Sequence, residues 1–419
     1  MDKMIVNGGN PLTGPVRISG SKNSALPILA ATLLTREPCV ISRVPDLSDI
    51  HYMLTILSSL GCEVERASGV VRIRADKVST VAPYEVVRKM RASVCVLGPL
   101  LGRENEATVS LPGGCVIGDR PIDLHLKGFE ALGAAVRVQS GNVKVLAPKL
   151  VGSTINMRGK QGSTVLGTGN VMMAAVLAEG TTVIDGAAEE PEVLDLANFL
   201  NAMGAKVSGA GTNRITVEGV AELHGADHEV IPDRIEAGTF LVAGAICGDD
   251  IILQRACPEH LSALTEPLSN AGFRISTGPD WVRLQRNGGP HPLQLDAQPY
   301  PGFPTDMQAQ MCALLSTVPG ISVVTDNVFP QRFMHVAELK RMGAQIDMQN
   351  STAVIHGVEE LEGAPVMASD LRASAALVLA GLAARGCTEI HRVYHIDRGY
   401  ESIDEKLNML GAEITREKA

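Results

Sequence analysis
The stretch LPGGCVIGDRPID, residues 111–123, sets a thiol, Cys115, on a Gly-rich segment with Arg120 close behind it. A thiol can give a proton and a thiolate can attack, and a neighbouring guanidinium shifts the balance towards thiolate. A permanent cation in a chain of net charge −9 also points to an anionic ligand held by local positive charge. Comparable residues fall on two recurring positions. Immediately before apolar helical runs stand Lys22 in SGSKNSALP, Arg91 in KMRASVCV, Lys160 in RGKQGS, Arg234 in PDRIEAGTF, Asp306 in FPTDMQAQ, and Asp370 with Arg372 in SDLRASAAL. The free N–H groups and positive dipole end of a helix start form an anion site, which Lys or Arg strengthens. The second position is the turn after a short strand: PDLSDI, PGGCVIGDRPID, AAEEPEV, ACPEH, NVFPQRFMH and YHIDRGYES. It puts Asp49, Cys115, Arg120, Glu190, Arg332 and Arg398 in equivalent places, and loops gathered at one end of a repeated scaffold commonly carry function.

Each residue also has a plainer explanation. Helix capping accounts for an Asp at 306 or 370, a solvated surface charge for an Arg at a helix end, and an inert thiol for a lone loop cysteine. Their coincidence on two matching positions favours chemistry.

The elements that must position them repeat. An amphipathic helical run, a glycine and an alternating strand recur as ILSSLGCEVE, FEALGAAVRV, FLNAMGAKVS, PLSNAGFRIS, LKRMGAQIDM and LNMLGAEIT, with the shared glycine at 61, 133, 204, 272, 343 and 411. Each unit of about 70 residues reads as an apolar helix, a β-branched strand, a second helix and two strands. The glycine suits a helix C-terminus needing positive φ. The first helices are apolar nearly all round, which predicts an α/β fold with buried helices and sheets packed outside. A solenoid is the alternative, although solenoid repeats usually run to roughly 20–45 residues.

With 419 residues and 45% apolar content, the chain is long enough for two domains of roughly 200 residues. MDKMIVNGGNP holds no apolar run of signal-peptide type, and the long uncharged segment 161–178 is broken by polar residues, so a cytoplasmic protein without a membrane span is expected. The eight cysteines are scattered with no C-x-x-C, which fits a reducing compartment and argues against a zinc site. Acidic residues outnumber basic ones 46 to 37 and aromatics are 3%, which excludes a basic, stacking nucleic-acid groove. GAG (209–211) and GTGN (167–170) fit neither a dinucleotide fingerprint nor a P-loop.

The motifs SGSKNSALP (19–27), RASVCVLGPLL (91–101), LPGGCVIGDRPIDLH (111–125), FPTDMQAQ (303–310), RFMHVAELKRMGA (332–344), DLRASAALVLAG (370–381) and HIDRGYE (395–401) together resemble the enolpyruvyl transferase family, over essentially the whole chain. The resemblance implies two inside-out α/β barrels of three repeats each. Residues 22–229 would form one domain and residues 1–21 with 230–419 the other, with the active site in the cleft between them. Among the family's branches, the cysteine in the PGGC loop favours transfer of the enolpyruvyl group of phosphoenolpyruvate to the 3′-hydroxyl of UDP-N-acetylglucosamine, over transfer to a shikimate phosphate. A non-catalytic UDP-sugar-binding paralogue is a further alternative. No cofactor or metal is implied.

Carried over position by position, the resemblance gives Lys22, Arg91, Arg120, Arg332, Arg372 and Arg398 to phosphoenolpyruvate. It gives Asn23, Arg91, Arg120, Pro121, Ile122, Asp123, Leu124, Lys160, Ser163, Thr164, Thr305, Asp306 and Val328 to the nucleotide sugar. Asp306 would be the base at the attacking hydroxyl, with Lys22 and Arg398 also catalytic. Cys115 would act at the enol carbon and be the target of epoxide antibiotics of the fosfomycin type. Asp49, Glu190, Arg234 and Asp370 would support the charged cluster. The chain departs from the family at KQGSTVLGT (160–168), which is longer than the usual segment contacting the diphosphate, and at Pro330, which should stiffen the backbone before Arg332.

Overall fold
In the computed structural model, which describes residues 2–111, 122–160 and 162–418, all six repeat glycines have φ between 93° and 111°. Only glycine adopts this conformation without strain, so each second helix stops there and the chain turns into a hairpin. Cys115, Arg120 and Pro121 lie outside the described residues.

Six four-stranded sheets follow one plan among the described residues. In one of them the edge strand Val81–Ala82 runs parallel to Glu106–Ser110, which pairs antiparallel with Asn142–Leu146, and that strand pairs with Ala135–Gln139. Alternating burial, as in Arg214–Glu218, leaves one face of each sheet on a core and the other in water. The first two strands of the chain serve distant repeats. Asp2–Asn7 pairs with Cys387–His391 and Glu413–Lys418, and Leu12–Arg17 runs parallel to Gly248–Gln254. In the other direction, Asp227–Glu229 completes the sheet of Cys39–Ser42.

Contacts divide the described chain into a unit of residues 2–19 and 232–418 and a unit of residues 20–111 and 122–231, each with its own apolar core. In the first, the helices Arg234–Cys247, Gln308–Leu315 and Leu371–Ala383 pack on one another and are buried almost throughout. In the second, Lys22–Ala31, Leu97–Glu104 and Val165–Ala175 occupy the corresponding places. No helix among the described residues is long and apolar enough to cross a membrane.

Two sequence expectations about helix starts need correction. Lys160 does not stand at a helix start. It lies exposed in the turn between the short strands Arg158–Gly159 and Gly162–Ser163, and the helix begins only at Val165. The turn forms because Gly162 accepts a φ of 103°. The helix starts are also not open anion sites throughout, because side chains cap them. Ser21 Oγ accepts from Ser24 N at 3.3 Å, Thr164 Oγ1 from Gly167 N at 3.2 Å, and Asp370 Oδ1 from Arg372 N and Ala373 N at 3.0 and 3.1 Å. Asp233 Oδ1 accepts from Ile235 N and Glu236 N at 2.8 and 2.9 Å. Any anion affinity there comes mainly from the Lys and Arg side chains. Asp233 is buried and caps this helix, so Asp233→Ala should cost at least about 1–2 kcal/mol. Urea unfolding would measure this, and an unchanged midpoint would show the cap to be dispensable.

Candidate active site
The unit of residues 2–19 and 232–418 brings two of its charged candidates, Arg332 and Arg372, onto one carboxylate. Asp306 sits on the short 3-10 turn Thr305–Met307 that opens the buried helix Gln308–Leu315. Its side chain meets two arginines. Oδ1 accepts from Arg332 Nη1 at 2.6 Å, and Oδ2 accepts from Arg372 Nε and Nη2 at 3.2 and 3.0 Å. Asp306 keeps 27% side-chain exposure while Arg332 and Arg372 keep 8% and 2%, so the accessible member of the trio is the carboxylate. Burial is the largest single influence on the Arg372 pKa and lowers it, but Asp306, Tyr400 and Asp233 together raise it further, and the guanidinium stays charged. Arg372 Nη1 is buried with no hydrogen-bond partner among the described residues.

Arg332 is anchored by the turn before it. Asp326, at the end of the strand Ile321–Asp326, accepts from Val328 N at 2.9 Å, Phe329 N at 2.7 Å and Thr305 Oγ1 at 2.6 Å. Thr305 Oγ1 also receives Arg332 Nη1 at 3.3 Å. Burial raises the Asp326 pKa against these bonds. Thr305 and the Val328 amide therefore serve the internal scaffold here. Asp370 caps its helix, Arg234 lies over the Tyr300 ring at 5.4 Å, and Arg398 ends the 3-10 turn Val393–Arg398, half-buried.

In the other unit, Lys22 opens the helix Lys22–Ala31 and its Nζ lies 3.3 Å from Asp49 Oδ2, both side chains buried. This pairs the two recurring sequence positions within one repeat. Asn23 follows on the same helix, half-buried, and Arg91 begins the 3-10 turn Arg91–Val96. Glu190 is buried at the start of the helix Pro191–Ala202. Ile122 caps the helix Asp123–Ala131, and Leu124 packs against the hairpin carrying Lys160 and Ser163, since a Cβ on Gly159 would meet Leu124 Cδ1 at 3.1 Å. Thr164 is engaged as a cap.

Several buried polar residues were not singled out from the sequence. Asn170 Oδ1 accepts from Gly98 N at 2.7 Å, its Nδ2 donates to Val94 O at 2.9 Å, and the same Nδ2 lies 3.0 Å from His125 Nδ1, which makes that nitrogen the acceptor and leaves Nε2 with the proton. Asp195, itself buried, meets Ser24 Oγ and His228 Nε2, the latter at 2.8 Å. Asp326 and Tyr400 complete the set.

Burial pushes the imidazoles of His125 and His335 down to about 4, helped by Arg91 at the first; at the second Asp370 opposes burial and Arg332 reinforces it. Unfolded, each would titrate near 6.5. Both thus bind fewer protons when folded, and their stabilising contribution is present above about pH 6.5 and lost as pH falls towards 4. Urea unfolding between pH 7 and 4.5 should lose about 1 kcal/mol per pH unit for each histidine. His335→Leu should remove its share of the slope, and a slope unchanged in that variant would contradict the assignment.

A six-sheet α/β scaffold that holds a carboxylate between two guanidiniums is the setting of the sequence comparisons. The family model described as EPSP synthase (3-phosphoshikimate 1-carboxyvinyltransferase) matches residues 6–407, and the chain belongs to this family. Nearer relatives carry a more particular name. The UDP-N-acetylglucosamine 1-carboxyvinyltransferases of Methylacidiphilum infernorum and Akkermansia muciniphila are each 59% identical to it over 99% of both chains. That of Anaeromyxobacter sp. is 54% identical over 100% of both. Among solved structures, the enolpyruvyl transferase NikO from Streptomyces tendae matches with a TM-score of 0.90 at 25% identity, covering 100% of this chain and 99% of its own. An EPSP synthase of Acinetobacter baumannii matches with a TM-score of 0.75 at 17% identity over 100% of both chains, a likeness of fold.

Proposed function
We propose that the protein transfers the enolpyruvyl group of phosphoenolpyruvate to the 3′-hydroxyl of UDP-N-acetylglucosamine with release of phosphate, the first committed step of peptidoglycan precursor synthesis. The observation that carries this reading is 59% identity to enzymes of that name over 99% of both chains. In this reading each unit is an inside-out α/β barrel, with domains of residues 22–229 and of residues 1–21 with 230–419.

Phosphoenolpyruvate brings a phosphate and a carboxylate. Lys22, Arg91, Arg120, Arg332, Arg372 and Arg398 supply permanent cations for them, and the planar guanidinium fork fits both groups. Asn23, the segment Pro121–Leu124, Lys160, Ser163, Thr164, Thr305 and Val328 belong to the nucleotide sugar. Asp49 holds Lys22, while Glu190, Arg234 and Asp370 support the cluster. The Cys115 thiol protonates the methylene carbon, C2 becomes electron-poor, and O3′ attacks it as its proton passes to Asp306. Elimination then returns a methyl proton to the Cys115 thiolate and expels phosphate, which carries off the proton held by Asp306. Atoms and charges balance without a further reactant.

Phosphate release should require phosphoenolpyruvate and UDP-N-acetylglucosamine together and should be absent when shikimate 3-phosphate replaces the nucleotide sugar. Release with the shikimate phosphate would transfer the chain to the other branch. Binding of the nucleotide sugar without any turnover would mark a non-catalytic binder.

A further inference from the structure
Behind Asp306 and Arg372 lies a buried polar cluster that none of the assigned roles uses. Tyr400 is 2% exposed, and its hydroxyl lies 2.9 Å from Thr239 Oγ1. Thr239 gives its only hydroxyl proton to Ile235 O at 2.8 Å, so the phenol is the donor in that contact. Tyr400 Oη in turn accepts from Gln310 Nε2 at 3.2 Å. The same amide nitrogen donates to the backbone carbonyl of Asp306 at 2.9 Å. Reversing the amide would set its oxygen against that carbonyl, so the orientation is fixed. On its other side, the Tyr400 ring lies under the Arg372 guanidinium at 5.3 Å.

Gln310 Oε1 is buried without a partner among the described residues. An orphaned acceptor is costly, so the glutamine is held here for what its Nε2 reaches: the Asp306 carbonyl, Tyr400 Oη and Thr239 Oγ1 at 3.2 Å. The three contributors come from three successive repeats: Thr239 from Arg234–Cys247, Gln310 from Gln308–Leu315, and Tyr400 from the turn after Val393–Arg398. They converge on the backbone of the carboxylate and on the face of the guanidinium that grips it.

We infer that Tyr400 and Gln310 are positioning residues for the transfer reaction: Gln310 holds the Asp306 backbone, and Tyr400 fixes both that amide and the plane of Arg372, so that the carboxylate is aimed at the attacking hydroxyl. The inference rests on the proposed role of Asp306. Burial raises the Tyr400 pKa, with Arg372 opposing, and the phenol acts as a fixed dipole and not as a titrating acid. Misaiming a base by a fraction of an ångström lowers the rate of proton transfer more than it lowers substrate affinity.

The test uses full-length enzyme and steady-state phosphate release over a pH series, with thermal melting alongside. Tyr400→Phe keeps the ring under Arg372 and loses the hydroxyl. It should lower kcat about tenfold with the KM for UDP-N-acetylglucosamine within about twofold, and it should displace the acid limb of the kcat profile. Gln310→Leu should lower kcat by about ten- to a hundredfold while melting close to wild type, since the orphaned acceptor it removes offsets the donor lost to Asp306 O and Tyr400. A merely structural role would give the reverse split, a lower melting point with kcat and pH profile unchanged, and would overturn the inference. An active wild type whose Asp306→Asn variant is also active would instead remove the reading on which the inference rests.

Discussion

Asp306→Asn should lower kcat for phosphate release by about 10²- to 10⁴-fold, since an amide cannot take the hydroxyl proton at any pH in the working range. The geometry adds a second cost. Arg332 bonds Oδ1 and Arg372 bonds Oδ2, so the single amide oxygen can keep only one of these places and the –NH₂ then faces the guanidinium of the other. With Arg372 at 2% and Arg332 at 8% exposure, the lost counter-charge is poorly replaced by water. A destabilisation of about 2–3 kcal/mol is expected, below the full range for broken buried pairs because Asp306 itself is partly exposed. The two effects separate experimentally. Kinetics below the melting range report the lost base, and urea unfolding reports the lost counter-ion. Asp306→Glu restores the charge with the carboxylate displaced by one methylene, so it should recover stability more fully than rate. A folded Asp306→Asn protein with kcat within tenfold of wild type would make the carboxylate a counter-ion only.

The cluster around Asp306 shows how far the sequence could be read. Composition and pattern sufficed for the scaffold: six glycines at one repeat position all require positive φ, and six apolar runs have no polar face to turn to water. Asp306, Arg332 and Arg372 were each legible as candidates because a charge just before a buried helix, or on a turn beside one, needs a reason. Their pairing was not legible. Arg372 lies 66 residues from Asp306, and local pattern carries no information across that distance. The buried frame was more deeply hidden, since Tyr400 is 161 residues from Thr239 and 90 from Gln310. A tyrosine and a glutamine in apolar surroundings read as packing until their partners are known.

Two local signals were present in the sequence, one passed over and the other taken for a helix start. In ISVVTDNVF, an Asp at the end of a strand and two and three residues before turn N–H groups is the pattern of a side chain closing a turn on its own backbone, and Asp326 does this. In RGKQGS, glycines flanking a short polar pair signal a hairpin as readily as a helix start, and the hairpin forms. The caps Ser21, Thr164, Asp233 and Asp370 carry the same lesson. A residue type suited to chemistry and one suited to ending a helix are often identical, and only the position of the acceptor atom separates the two. Asp370 bonds two backbone N–H groups, whereas Asp306 bonds two guanidiniums.

Cys115 lies outside the described residues, yet the structure bears on how it can be tested, because it describes the competing thiols. Burial pushes Cys39 up to about 11 and Cys62, Cys95 and Cys247 up to about 12, and raises Cys312 further. Cys257 is raised as well, by burial and then by Glu259. At pH 7 to 8 such thiols hold almost no thiolate, and Cys387 is the exposed one among those described. In a Cys387→Ser background, an epoxide of the fosfomycin type with saturating UDP-N-acetylglucosamine should add once, on Cys115, with phosphate release falling in step with the adduct. Cys115→Ala should abolish the adduct and lower kcat by about 10²- to 10⁴-fold, the usual weight of a lost general acid. The charge balance makes a finer prediction. Guanidiniums favour the thiolate, which attacks well and protonates poorly, so binding a dianion among them should raise the thiol pKa and load the acid when substrate arrives. Alkylation by iodoacetamide at fixed pH should therefore slow when inorganic phosphate is added, and the pH midpoint of the alkylation rate should move upward. A midpoint that stays in place under saturating phosphate would mean that the proton on Cys115 is set by something other than the cations the substrate neutralises.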